Sequence, residues 1–166
     1  YSSLEEIVQR KKTGLFSNLL ILDEVQDPQH LGALIRSAAC FGFQGVIISE
    51  SHASQVGPAA AKAASGAIEY IPLARVSSIA KAIDFLKENS FWSFGAAAEA
   101  QKSIYNQDVK SNVALVIGSE GKGLRRLVRE KCDFLVSIPI SGPISSLSAS
   151  AAGTVLMADI ARQQNS

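Results

Sequence analysis

Leu115–Ala152 reads LVIGSEGKGLRRLVREKCDFLVSIPISGPISSLSASAA, and this stretch decides the fold. The run Val113–Ile117 is apolar throughout and bounded by turn residues, which predicts a strand covered on both faces. Gly118, Gly121 and Gly123 follow as a tight turn whose bare N–H groups are open to a ligand. Leu124–Lys131 is predicted as a short basic helix, and Phe134–Ile138 as a second buried strand stopped by Pro139. Gly142 and Pro143 make another turn. Ser145, Ser146, Ser148 and Ser150 crowd the start of a final helix, expected from about Leu147 to Arg162, where hydroxyls satisfy free backbone donors or touch a ligand. Two such loops on neighbouring parallel strands would face each other at the carboxyl ends, where open α/β sheets hold their ligands.

Outward from this stretch, strands alternate with helices. Leu19–Asp23 (LLILD) is a buried strand, and Asp27-Pro28 seats proline at the start of a helix that runs to about Phe41. Gly42–Ser49 supplies a turn and a second strand, Pro58–Ser65 an alanine-rich helix ended by Gly66, and Ile68–Leu73 a third, shorter strand. Ser77 or Ser78 caps an amphipathic helix to Glu88 with Ile79, Ile83 and Leu86 on its buried face, and Phe91–Gly95 is a fourth strand. Asn106–Asn112 reads as a loop. Ser3–Lys12 reads as a short helix or arm, residues 1–18 being the end of a linker or an N-terminal arm ahead of a single domain over 19–166. Six strands alternating with helices predict an α/β layer architecture around a mostly parallel sheet.

The chain has 166 residues, 47% of them hydrophobic and 19% charged, enough to bury the core of one soluble domain. A net charge of +1 neither requires nor excludes nucleic acid, so an argument for RNA rests on where the cations sit. Cys40 and Cys132 lack metal-ligand spacing and are expected to be small core residues in a reducing compartment. No apolar run approaches the length of a membrane span and no signal peptide is visible, so a cytoplasmic protein is expected. An opening Tyr1 rather than Met suggests a fragment.

Several enzyme signatures fail on spacing. The glycines are spaced GxxGxG after the fifth strand, not GxGxxG after the first, and Lys122 is followed by Gly123 where a phosphate-binding loop needs Ser or Thr. No GxSxG elbow occurs. His30 and His52 have no spaced partners for a metal site or triad, and His52 reads as a solvated loop residue.

Three blocks, LDEVQDPQHLGALIRSA, LVIGSEGKGLRRL and SIPISGPISSLSASAA, resemble in order and spacing the three motifs of the SpoU/TrmH family of RNA ribose 2′-O-methyltransferases. The chain between them is similar to the RlmB branch, which modifies a guanosine in the peptidyl-transferase P loop of large-subunit (23S) ribosomal RNA. The resemblance covers 19–163. It implies an α/β knot (SPOUT) fold with a deep C-terminal trefoil, a homodimer, and S-adenosylmethionine bent into the knotted loops. It places the cofactor at Gly118, Ile138 and Leu147 beside the strand end Gly95, Ala96 and Ala97, with backbone groups holding the adenine and small residues leaving it room. No metal is implied.

The implied reaction is in-line attack of a ribose 2′-hydroxyl on a sulfonium methyl, for which the hydroxyl must be oriented and relieved of its proton. Arg36 matches the first motif's arginine. A guanidinium stays protonated, so phosphate clamping is the expected role, with a solvated helix-surface arginine as the alternative. Glu120 matches the second motif's glutamate, with capping of loop N–H groups as the alternative. Ser150 matches the third motif's serine. His30 and Ser148 stand where the family motifs have asparagines, exchanges that keep hydrogen bonding but change reach. Lys122, Arg125, Arg126, Arg129 and Lys131 follow the GSEG loop, either to guide RNA phosphates or as a solvated face. Few aromatics are spare for base stacking, so RNA selection is expected to depend on the dimer and on an N-terminal RNA-binding domain outside this chain. The competing readings are a catalytically silent RNA- or ribosome-binding module of the same fold and an unknotted nucleotide-binding enzyme.

Overall fold

The computed structural model describes residues 1–10, 15–50 and 56–166. Among the described residues six strands form one sheet, β1 (Asn18–Asp23), β2 (Gly45–Ser49), β3 (Leu73–Val76), β4 (Phe91–Ala96), β5 (Asn112–Gly118) and β6 (Phe134–Val136). Their order is β3-β2-β1-β5-β4-β6 and every pairing is parallel. All strand carboxyl ends therefore lie along one edge. The continuous apolar runs sit at the centre, where β1 is buried at every position and β5 at every position after Asn112.

Helices α1 (Leu4–Gln9), α2 (Pro28–Cys40), α3 (Pro58–Ala64), α4 (Ile79–Glu88), α5 (Arg126–Lys131) and α6 (Ala149–Gln164) cover the two faces. Strand alternation divides the core accordingly. Leu20 and Leu22 pack with Leu34, Ile35, Leu156 and Met157 beneath α2, α3 and α6, whereas Leu19 and Ile21 pack with Ile7, Ile83, Leu86 and Val128 beneath α1, α4 and α5. The first residues are part of this body: Ile7 is buried and the Ser2 N–H donates to the Leu73 carbonyl at 2.7 Å. Lys11, Lys12 and Gly14 of the expected arm, and His52, lie outside the described residues.

Local chemistry sets the boundaries. Asp27 caps α2 by accepting from the Gln29 N–H at 2.8 Å, with Pro28 in the first turn where no N–H is needed. Ser78 caps α4 in the same way. The expected strand over 68–73 is instead a short 3-10 turn, Ala67–Glu69, followed by β3 from Leu73. Pro72 interrupts that apolar run because it has no N–H for the ladder, so pairing starts after it. The ladder of β6 ends at Val136 rather than Ile138, Ser137 making only an isolated bridge to Ser103. The expected helix start at Leu124 moves to Arg126, since Arg125 is held extended (ψ 150) by its bonds to Asp23. The last helix starts at Ala149 rather than Leu147, with Ser148 as its cap.

The cysteines do not share one environment. Cys40 is exposed at the end of α2, against the core position expected for it, because the buried face of that helix carries Leu31, Leu34, Ile35 and Ala38. Cys132 is half-buried beside Asp133 and Asp23, and burial, followed by those two carboxylates, pushes its thiol up to about 12. Among the described residues no helix is long and apolar enough to cross a membrane.

Candidate active site

Three strand ends and one helix start enclose a cleft of about 480 Å3 at the carboxyl edge of the sheet. Ala96, Ala97 and Ala98 enter from the end of β4, Gly118–Leu124 from the end of β5, Val136–Ile138 from the end of β6, and Ser145–Ala149 from the approach to α6. The two loops expected to face each other do so, but across β4 rather than as neighbours, since β4 lies between β5 and β6. Its alanines thus become the floor. The cleft falls within the range of about 300–1,000 Å3 typical of small-molecule sites.

The turn after β5 is closed by two backbone bonds, the Gly123 N–H to the Ser119 carbonyl at 2.8 Å and the Ser119 N–H to the Gly123 carbonyl at 3.2 Å. This folds the Gly123 backbone over Gly118 so closely that a Cβ at 118 would lie 2.2 Å from the Gly123 carbonyl carbon. Gly123 itself has φ +66, a left-handed conformation that suits glycine. Gly118 is therefore small to let the loop close on itself, a different reason from the room for adenine that the family resemblance implies.

A second cavity, of about 260 Å3, adjoins the first and shares Ser119, Glu120, Lys122 and Ala149 with it. Its other walls are Glu24, Val25, Gln26, Asp27 and His30, so it opens between the ends of β1 and β5. Here His30 Nε2 lies 3.1 Å from Glu120 Oε2 and 3.9 Å from Asp27 Oδ2, and Nδ1 lies 2.9 Å from Ser150 Oγ. Ser150 Oγ is in turn 3.4 Å from Ser148 Oγ, which accepts the Ala151 N–H at 3.2 Å. His30 and Glu120, far apart in the chain, are joined with the neighbours Ser148 and Ser150 into one connected set.

The cations after the GSEG loop divide by partner. Arg125 binds the fully buried Asp23, its Nη2 at 2.7 Å, and reaches Glu24 at 3.5 Å. Arg126 pairs with Glu130 one turn on, Lys131 with Asp84, and Arg129 with Glu99. Lys122 makes no ion pair among the described residues and lines both cavities. Of the expected RNA-guiding cations, Arg125 is committed to structure, Arg126 projects at 93% side-chain exposure, and Lys122 stands at the site.

Five of the six expected cofactor positions, Ala96, Ala97, Gly118, Ile138 and Leu147, line the cleft. Gly95 does not. Strand alternation turns it to the other face, where a Cβ would meet Leu124, Cys132 and Leu135. Arg36 is also outside both cavities, exposed on α2 with Nη1 3.4 Å from Ser65 Oγ. The sequence reading did not include Glu99, which joins Arg129 at the wall of the larger cleft. The hydrogen bond from Arg129, then its own backbone amide, hold the Glu99 carboxyl below its ordinary range. No local pattern marks it, because its partner comes from α5, thirty residues on. Among the described residues no group of three or more His, Cys, Asp or Glu side chains is placed to hold a metal ion.

Comparison with known proteins gives a consistent result. The profile of the SpoU rRNA methylase family matches residues 17–158. YacO of Bacillus subtilis, assigned to the TrmH family of tRNA/rRNA methyltransferases, is 45% identical over 146 residues, 88% of this chain and 59% of the relative. A Staphylococcus aureus protein with the same family assignment is 43% identical over 157 residues, 95% of this chain and 63% of the relative. This chain thus spans about three-fifths of the length of those relatives. Among solved structures, the SpoU methyltransferase AviRb of Streptomyces viridochromogenes in complex with the cofactor AdoMet superposes with a TM-score of 0.85 at 28% identity, over 94% of this chain and 60% of that one.

Proposed function

Because this chain belongs to the SpoU rRNA methylase family, we propose that it transfers a methyl group from S-adenosylmethionine to a ribose 2′-hydroxyl of RNA. The observation that carries the reading is the joining of two cavities through Glu120: a larger, partly apolar cleft and a smaller one lined by His30 and carboxylates. S-adenosylmethionine, when bound, supplies an electrophilic methyl on a positively charged sulfur. Ala96, Ala97, Gly118, Ile138 and Leu147 would hold it, their small and apolar side chains suiting a purine and ribose, with Glu99 and Arg129 at the wall for its polar ends. The acceptor ribose would sit where the two cavities meet, its hydroxyl toward the larger cleft beside Glu120, with Lys122 meeting a phosphate.

The finer target is a guanosine in the P loop of 23S ribosomal RNA, supported by the similarity of the chain between the motifs to the RlmB branch. A homodimer completes the reading: Arg36 lies outside the cleft of its own chain, and Ile140 and Leu147, which line the cleft, expose apolar surface. A deep C-terminal trefoil knot, an N-terminal RNA-binding domain preceding this catalytic domain and a cytoplasmic place of action, where RNA and cofactor meet, belong to the same proposal.

The test is transfer of labelled methyl by the full-length protein to 23S ribosomal RNA fragments, with the product digested to nucleosides. Label is expected in 2′-O-methylguanosine and is expected to vanish when the target carries a 2′-deoxyribose. Cofactor binding by calorimetry without any transfer to RNA would leave a silent RNA-binding module instead.

A further inference from the structure

We propose that Ser148, Ser150, His30 and Glu120 form a directional relay that carries the proton of the acceptor hydroxyl to His30 Nδ1, an inference that rests on the methyl-transfer reading above. The direction follows from which groups are able to donate. A glutamate carboxylate only accepts, so at 3.1 Å from Glu120 the Nε2 of His30 is the ring nitrogen that carries hydrogen. Asp27, 3.9 Å from the same nitrogen, favours that arrangement too. Nδ1 is then the ring's acceptor, and at 2.9 Å the Ser150 hydroxyl donates to it. With its hydrogen spent on Nδ1, Ser150 Oγ has lone pairs left for Ser148, 3.4 Å away. Ser148 Oγ already accepts the Ala151 N–H, which leaves its hydrogen for Ser150 and one further lone pair on a residue that lines the cleft. Every donor is used once and in one sense.

The two ends of this chain of bonds lie where the reaction needs them. Ser148 lines the larger cleft, His30 lines the smaller cavity, and Glu120 lines both. As the ribose oxygen forms its bond to the methyl carbon, the carbon–sulfur bond breaks and sulfur keeps that electron pair. The hydroxyl proton passes to Ser148 Oγ, that of Ser148 to Ser150, and that of Ser150 to Nδ1. The imidazolium so formed faces Glu120 and Asp27, while Glu24, paired with Arg125, and Lys122 line the same cavity. It releases its proton to water after the product leaves. Imidazole is the natural acceptor here, because its ordinary proton affinity lies nearer neutrality than that of a carboxylate, and a guanidinium offers no lone pair.

The experiment combines a spectrum and a pH profile on the full-length protein. In ligand-free protein, long-range proton–nitrogen correlation spectra should show neutral His30 as the Nε2–H tautomer, its signals identified as those lost in His30→Asn. Ser150→Ala should shift the Nδ1 resonance while leaving that of Nε2 nearly in place. For methyl transfer at saturating cofactor, the wild-type rate should fall tenfold per pH unit on its acid side. His30→Asn should lower the rate about 10²–10⁴-fold and abolish that acid limb, with cofactor affinity by calorimetry unchanged. Glu120→Gln should lower the rate yet keep the limb. An Nδ1–H tautomer, or His30→Asn transferring within threefold of wild type with the same acid limb, would overturn the relay while leaving the methyltransferase reading intact. Absence of transfer by the wild type would defeat both.

Discussion

Arg125 surrounds Asp23 from three atoms, with Nε 2.8 Å and Nη2 2.7 Å from Oδ1 and its own backbone N–H 2.8 Å from Oδ2. Asp23 is the last residue of β1 and fully buried, so these bonds tie the start of the α5 segment to the centre of the sheet. A residue legible only as one cation in a basic run is thereby the counter-ion of a buried carboxylate. Arg125→Ala is expected to cost about 3 kcal/mol in chemical denaturation, since it strands that charge, and to leave the salt dependence of RNA binding unchanged. A stable variant with a lowered salt slope would reverse this assignment.

Lys122 should behave in the opposite way. It lines both cavities and makes no ion pair among the described residues. Lys122→Ala is expected to keep thermal stability within about 0.5 kcal/mol of the parent. Its RNA affinity should weaken, and the slope of log affinity against log salt should shrink by about one.

Gly118 and Gly95 give a contrast within one site. A methyl at 118 would press on the Gly123 backbone, whereas at 95 it would meet the ends of Leu124 and Cys132 side chains on the far face. Gly118→Ala should open the turn, losing about 1–3 kcal/mol of stability together with at least tenfold in S-adenosylmethionine affinity. Gly95→Ala should lose stability alone. Calorimetry alongside thermal unfolding separates the two effects.

Asp133 makes an acid-sensitive clasp between β4 and β6. Burial opposes its ionisation, but the Ser93 N–H at 2.9 Å, the Lys87 ammonium at 2.9 Å and the Ser93 hydroxyl at 3.1 Å together hold its carboxyl below the ordinary range. The same Lys87 amine is held above its own ordinary value by that hydrogen bond and by the charge of Asp133. Because the folded carboxyl releases its proton more readily than the unfolded one, its contribution is complete above the unfolded value of about 4. It is lost as pH falls through the lower folded value. Asp133→Ala should cost about 2 kcal/mol at neutral pH, and the cost should shrink on acidification below pH about 4 in parallel unfolding curves.

Much of the architecture was legible because it depends on local chemistry. Continuous apolar runs such as Leu19–Leu22 and Val113–Ile117 have only one stable place, the middle of a parallel sheet, and the caps Asp27 and Ser78 mark helices by backbone satisfaction. Where reading and structure part, a neighbour distant in the chain intervenes. Arg125 leaves the expected helix because Asp23 holds it, Pro72 delays β3, and Gly95 faces away from the cleft because β4 brings Ala96 and Ala97 to it.

The sequence by itself determined the layered α/β class and the family motifs, since periodicity and turn residues act over a few positions, and it was the family resemblance that grouped Gly118, Ile138 and Leu147, which line one cleft. Only the tertiary structure decided which side chains meet: His30 with Glu120 and Ser150, Glu99 with Arg129, Asp23 with Arg125. Those pairings span from 30 to 120 residues. Nothing in local sequence encodes them, because they follow from strand order and from which loops the parallel sheet carries to a common edge.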